Sequence, residues 1–147
     1  MSLDNVDFRQ VFDNTPSLVL ILDPGFKIVA QNRAHARATL SDERGLVGKN
    51  LFEAFPDNPA DSAAEGLSQL RASLLKVLKT KTADVIAPFR YDVQGARGPF
   101  ETRWWTVTNT PILGADGFVR WIINRAEDVT ELVELRNQLA SSFPKKP

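Results

Sequence analysis

The chain reads as α+β: one five-stranded antiparallel sheet with its helices packed on one face and a helical flank at each end. Three observations predict this. Residues 102–130 (TRWWTVTNTPILGADGFVRWIINRAEDVT) are two runs rich in Trp, Thr, Val and Ile around Gly114-Ala115-Asp116-Gly117. β-branched and aromatic residues suit a pleated, half-buried surface, and Asp-Gly between such runs is a strong hairpin signal. Residues 17–22 (SLVLIL) and 26–30 flank Asp23-Pro24-Gly25, a second hairpin. Between the hairpins, Leu67, Leu70, Leu74, Val77 and Leu78 give the clearest 3.6-residue period in the chain.

In order, residues 4–14 read as a short amphipathic helix. Val6, Phe8, Val11 and Phe12 form a loose stripe, and Asn14-Thr15-Pro16 ends it. The apolar run 17–22 is a buried strand. In the turn that follows, Asp23 caps, Pro24 fixes φ and Gly25 supplies a positive φ. Asn32 caps a short helix over 33–40, and 41–45 is a polar loop. Residues 46–55 give one or two helical turns, stopped by Pro56. Ser62-Ala63-Ala64-Glu65 has capping-box form and opens the long helix, which runs to about residue 79. Residues 83–93 read as a strand in which Pro88 marks an edge or a bulge, and 94–99 as a flexible loop. After the closing hairpin, Leu132, Leu135 and Leu139 recur at helical spacing over 131–140. The order is β-β-α-α-α-β-β-β-α, with no internal repeat.

Composition narrows the function. The 147 residues are the size of one domain, and Lys+Arg and Asp+Glu balance at 18 each. No net field therefore draws nucleic acid or an anionic membrane. The absence of cysteine removes disulfides, a thiolate nucleophile, Cys-ligated zinc and Fe–S clusters. No apolar run approaches the ~18–20 residues of a membrane span, and the acidic N-terminus lacks a signal-peptide pattern. A cytoplasmic protein without nucleic-acid or membrane partners is expected. The single histidine, His35, has no second imidazole at helical spacing and no triad signature. No catalytic residue and no metal site is expected, and His35 reads as a surface or boundary residue.

Four stretches together resemble the PAS (Per-Arnt-Sim) sensor-domain family. They are Phe12-Asp13-Asn14-Thr15-Pro16 leading into Val19-Leu20-Ile21-Leu22-Asp23; Ile28-Val29-Ala30-Gln31-Asn32, a strand ending in a capping Asn; Leu46-Val47-Gly48-Lys49-Asn50-Leu51-Phe52, similar to the family's G-[KR]-x-[LI] turn; and Asn109-Thr110-Pro111-Ile112 through Asp116-Gly117 to Glu127-Asp128-Val129-Thr130, similar to its closing hairpin and D-[IV]-T ending. Gly25 departs from the pattern, standing one position before the usual turn glycine. The resemblance implies a helical flank at 1–15, a sensory domain at 16–130 and the start of a linker or output helix with its tail at 131–147. It implies sensing or dimerisation inside a signalling protein, of the kind found in bacterial sensor kinases and two-component systems, and no catalysis by this segment.

Alternation divides the closing hairpin into two faces. Matching these to the family's pattern puts Trp105, Asn109, Ile122 and Asn124 inside, which implies a small-molecule pocket with Trp105, Asn109 and Asn124 as ligand-binding candidates. An unpaired buried amide costs about 1–3 kcal/mol, so protein, water or ligand must meet each Asn. Arg90 and Tyr91 alternate on the third strand, and the sequence leaves open which points inward; an inward Arg90 makes an anion such as a carboxylate the candidate ligand. Trp104 and Trp121 share the outer face, which calls for a cover. A homodimer is expected there, with the terminal helices as alternative covers.

The resemblance implies that Asp128 and Thr130 lock the last strand to an output helix; as residues they also read as caps of that helix. Family haem sensors usually supply a histidine from the long helix, and this one has none, which weighs against haem. A flavin adduct is excluded by the absence of cysteine, and the flavin-sensing Gln position falls on Ala126; non-covalent flavin stays open. The reading is a sensory module that binds a small ligand, dimerises, or both, and signals through its C-terminal helix to an output domain of the same chain. A ligand-free dimerisation domain is the alternative, and a small enzyme built on His35 is a third.

Overall fold

In the computed structural model, which describes residues 2–42, 44–56, 66–95 and 97–142, both predicted hairpins enter one sheet. A 3-10 turn at Leu3–Asn5 and α1 (Phe8–Asn14) lead into β1 (Leu18–Leu22) and β2 (Ile28–Gln31). Helices α2 (Arg33–Ala38), α3 (Leu51–Ala54) and α4 (Gly66–Thr80) follow. Then come β3 (Asp84–Arg90), β4 (Val93–Gln94), β5 (Phe100–Glu101), β6 (Trp104–Leu113), β7 (Val119–Asp128) and α5 (Thr130–Ser142). The sheet runs β2-β1-β7-β6-β3, and every neighbouring pair is antiparallel. The sequence-predicted α+β class and five-stranded sheet therefore hold. The capping box at 62–65 lies outside the described residues. No helix among the described residues is long and apolar enough to cross a membrane.

The core forms where the two periodicities meet. Leu20, Leu22, Val107 and Ile122 alternate onto one sheet face and are buried there with Leu70, Leu74 and Val77 of α4. Each such side chain contributes about 1.5–3 kcal/mol when fully buried. Pro88 falls at the register shift between Ile86 and Phe89 on edge strand β3, where its missing N–H costs the ladder least.

Two local expectations are corrected. The strand read over 83–93 stops at Arg90, and Val93–Gln94 instead pairs with Phe100–Glu101 in a separate two-stranded ribbon. In the β1–β2 turn the residue at positive φ is Phe26 (φ 69°), not Gly25. Asp23 holds that turn: its carboxylate accepts from the N–H groups of Gly25 and Lys27, both at 2.9 Å. A left-handed non-glycine costs about 1–2 kcal/mol, which the burial of the Phe26 ring in the core offsets.

Asn32 caps α2 as expected, and it does more. Its Oδ1 accepts from the N–H of His35 (3.0 Å) and of Val19 (3.1 Å). Its Nδ2 donates to the carbonyls of Ser17 (2.8 Å) and Phe12 (3.0 Å). One fully buried amide thus ties the end of α1, the start of β1 and the start of α2. Asn32→Ala is expected to lower the unfolding free energy by about 2–3 kcal/mol in urea titration, because it orphans several backbone groups at once.

Candidate functional site: an inner cavity and a strand-to-helix junction

Between the inner sheet face and helices α2 to α4 lies a cavity of about 60 Å³. The sheet supplies Leu20, Trp105, Val107, Asn124 and Ala126 to its lining, and the helical side supplies His35, Thr39, Phe55 and Leu70. On this scale a water needs about 10–15 Å³, and a dry cavity of about 150 Å³ takes benzene. The space suits a few waters or a molecule of few heavy atoms. Gly66 brings α4 close to β3 beside the cavity. A Cβ there would meet the Phe89 ring at 2.9 Å and the Arg90 carbonyl at 3.0 Å.

Trp105, Asn109 and Asn124 all lie on the inner face and are buried. Their roles differ. The Trp105 indole N–H donates to the Tyr91 carbonyl at 2.9 Å, leaving its ring for the cavity wall. Asn109 is fully buried and sits directly opposite Asn124 in the ladder. Its Nδ2 donates to Ser73 Oγ (2.9 Å), and its Oδ1 accepts from Asn124 Nδ2 (2.8 Å). The protein therefore satisfies Asn109, which is not among the cavity-lining residues, whereas Asn124 lines the cavity. Ser73 in turn bonds Asp84, and that bond, with Lys76 at 3.0 Å, holds the Asp84 carboxyl below its usual value.

Arg90 is corrected. It stands opposite Trp104 on the outer side of β3, and its guanidinium pairs with buried Asp92 through Nε (2.9 Å) and Nη2 (3.0 Å). It does not line the cavity. Of the alternating pair, Tyr91 is the one at the cavity, with its hydroxyl donating to the Pro56 carbonyl at 2.6 Å. The reading of His35 as a surface or boundary residue is overturned too. It is 4% exposed, lines the cavity and packs edge-on against Phe55. Burial pushes its pKa from 6.5 down to about 4, so the imidazole is neutral at pH 7. Thr39 donates its hydroxyl proton to the His35 carbonyl (2.8 Å), so Ser41 is the donor in the Thr39–Ser41 contact. Ser41 Oγ then accepts from Gln31 Nε2 (2.9 Å), and the second Gln31 hydrogen goes to His35 Nδ1 (3.0 Å). The ring proton is left on Nε2.

The hairpin ends in a polar knot. The Thr130 N–H and hydroxyl both donate to the Asp128 carboxylate. The Thr130 hydroxyl oxygen accepts from the Trp104 N–H (2.9 Å), and the Trp104 carbonyl accepts from the Val129 N–H (2.8 Å). Asp128 and Thr130 thus join the start of β6, the end of β7 and the first turn of α5. Trp104 and Trp121 lie half-buried on the outer face, where Val85 is 67% exposed. α1 packs on α2, and α5 touches β6.

A model of the PAS fold matches residues 12–134. The chain belongs to the PAS-fold family. No curated protein sequence matches it. Its PAS domain is similar in structure to that of a protein from Colwellia psychrerythraea (13% identity, TM-score 0.64, covering 84% of this chain and 95% of that one). It is also similar to a sensory box sensor histidine kinase from Vibrio cholerae (20%, TM-score 0.56, 84% and 89%) and to the PAS domain of Bordetella pertussis BvgS (22%, TM-score 0.58, 92% and 96%).

One site residue of this PAS domain, Ser73, escaped the sequence reading, and another, His35, was placed on the wrong side of the surface. Ser73 interrupts the leucine stripe of α4 between Leu70 and Leu74, and a hydroxyl on a core-facing stripe is the signal of a buried partner. His35 follows capping Asn32 by three residues, which puts it at the first turn beside the inner face. Because its folded pKa lies below the unfolded 6.5, unfolding takes up a proton between pH 6.5 and 4. Its contribution is complete above pH 6.5 and is lost as pH falls toward 4. Urea titrations are expected to show stability about 2 kcal/mol lower at pH 5 than at pH 7, with that fall removed in His35→Phe.

Proposed function

We propose that this PAS domain is the sensory module of a signalling protein, in which a small molecule in the inner cavity biases the junction at Asp128 and Thr130. One observation carries the reading. Trp105 lines the cavity and stands opposite Asp128 in the ladder, while its neighbour Trp104 is bonded to Val129 and Thr130. A change in cavity content needs to move the backbone of one residue pair to reach α5. A cytoplasmic location, a bacterial sensor kinase as parent protein and an output domain after α5 belong to the same proposal, and the sensor-histidine-kinase neighbour from Vibrio cholerae supports the second of these. A cavity of this volume favours a small ligand over a haem or a non-covalent flavin. A catalytic role for His35 lacks support, because burial accounts for its pKa and no carboxylate among the described residues acts on it.

The test fills the cavity. Native mass spectrometry of the purified chain is expected to show a bound small molecule that Ala126→Leu no longer carries. Hydrogen exchange of the Trp104 N–H and the first turn of α5 is expected to change in that variant. Unchanged exchange at the junction, with nothing bound to either form, would leave dimerisation as the function.

A homodimer through the outer face is the second element. It is favoured by exposed Val85, half-buried Trp104 and Trp121, and the exposed Leu132, Leu135 and Leu139 of α5. Sedimentation equilibrium is expected to show a dimer whose dissociation constant rises at least about tenfold in Trp121→Ala, since buried interface tryptophans typically carry over 1.4 kcal/mol.

A further inference from the structure

The polar column behind the cavity has a direction, read from its two amides. Asn124 Nδ2 donates to Asn109 Oδ1 and Asn109 Nδ2 to Ser73 Oγ, which leaves the Ser73 proton for the Asp84 carboxyl that it helps to hold below its usual value. Asn124 Oδ1 is the end of the chain. Asn124 lines the cavity, its Oδ1 takes no hydrogen bond from the described residues, and that oxygen is not sealed away as a buried unsatisfied atom. Across the lining, His35 has its Nδ1 occupied by Gln31, so Nε2–H is its free donor. No group on the cavity's described lining carries a charge at pH 7, and Thr39, Trp105 and Tyr91 have their polar atoms engaged elsewhere.

We propose that the cavity selects a small neutral molecule bearing one hydrogen-bond donor and one acceptor: Asn124 Oδ1 receives the ligand's donor and His35 Nε2–H meets its acceptor. The inference rests on the cavity being a ligand site and adds the chemical class of ligand. Asp84 acts as a positioning residue, because it fixes which end of the Asn124 amide faces the ligand without touching it. Flipping both amides would set Asn109 Oδ1 against a Ser73 oxygen whose single proton goes to Asp84, acceptor against acceptor, so acceptor-only ligands are disfavoured at Asn124.

Three five-atom rings of matched shape test it on the full chain: pyrazole (donor and acceptor), pyrrole (donor) and furan (no donor). Titrations are followed by the Asn124 side-chain and Trp105 indole NMR signals. Pyrazole is expected to bind about tenfold more tightly than pyrrole, and pyrrole about tenfold more tightly than furan, the scale of one well-made hydrogen bond each. Asp84→Asn keeps the shape of the column but removes the acceptor-only end, and is expected to cut the pyrrole-to-furan ratio to about two or below while furan binding stays the same. His35→Phe is expected to erase the advantage of pyrazole over pyrrole. Equal binding of the three rings overturns the assigned polarity and leaves the cavity as a ligand site. An unchanged ratio in Asp84→Asn overturns the role of Asp84. No shift of either signal with any ring overturns the ligand site and the inference together.

Discussion

Two carboxamides face each other across the middle of the sheet, and the register of the closing hairpin depends on them. Asn109 and Asn124 are ladder partners, and both are buried. Apolar residues on the inner face would tolerate some slippage, since Val, Ile and Ala fill similar space. The amides do not. A one-residue slip moves one of them to the outer face and leaves the other unpaired among leucines. An unpaired buried amide costs about 1–3 kcal/mol, so the correct register is separated from its neighbours by an energy comparable to a large share of total stability. Ser73 extends the constraint to α4. Its hydroxyl must meet Asn109, which fixes the rotation of the helix about its axis while Leu70, Leu74 and Val77 supply its adhesion. Polar atoms choose the arrangement, and apolar area holds it.

The same register places the junction. Asn124 and Asp128 are four residues apart on β7, about 13 Å at the usual strand rise. Trp105 faces Asp128, so the cavity wall and the polar knot at Thr130 lie in one rigid ladder. A helix that started one residue later would lose the Thr130 hydroxyl as the common partner of Trp104 and Asp128. The leucines of α5 add little to holding it there, because Leu132, Leu135 and Leu139 keep about half or more of their surface exposed. The knot is therefore the main attachment of α5 to the sheet.

Much of this was legible in the residues. Alternation over 104–113 and 119–128 sorted Trp105, Asn109, Asn124 and Ala126 onto one face and Trp104 and Trp121 onto the other, because a pleated strand leaves no third choice, and the resemblance to the PAS pattern said which face was inner. Asn32 was legible as a cap; its bonds to Phe12, Ser17 and Val19 were not, since they cross up to 20 residues of chain. Arg90 was ambiguous because the bulge at Pro88 shifts the parity of β3, and a bulge's position is set by the partner strand. His35 read as a surface residue because α2 is short and otherwise polar. Its burial comes from Phe55 and the sheet closing over it, contacts no local pattern encodes.

The size of the cavity bounds what any ligand could transmit. The best tiny ligands bind with about 1.5 kcal/mol per heavy atom, so five atoms give at most about 7.5 kcal/mol, and ordinary cases much less. The knot at Asp128 and Thr130 consists of a few hydrogen bonds, each worth about 0.5–1.5 kcal/mol net. The two scales overlap. Moving an equilibrium from 1:9 to 9:1 takes about 2.6 kcal/mol of differential binding, while a swing from 1:99 to 99:1 takes about 5.5. A few-atom ligand can supply the first from two well-placed hydrogen bonds and a modest apolar contact. The second would consume nearly all its binding energy and leave little affinity. On the proposed sensory function, a small cavity beside a small knot matches a graded bias of the C-terminal helix, and an all-or-none response would have to come from cooperation between two copies of the chain.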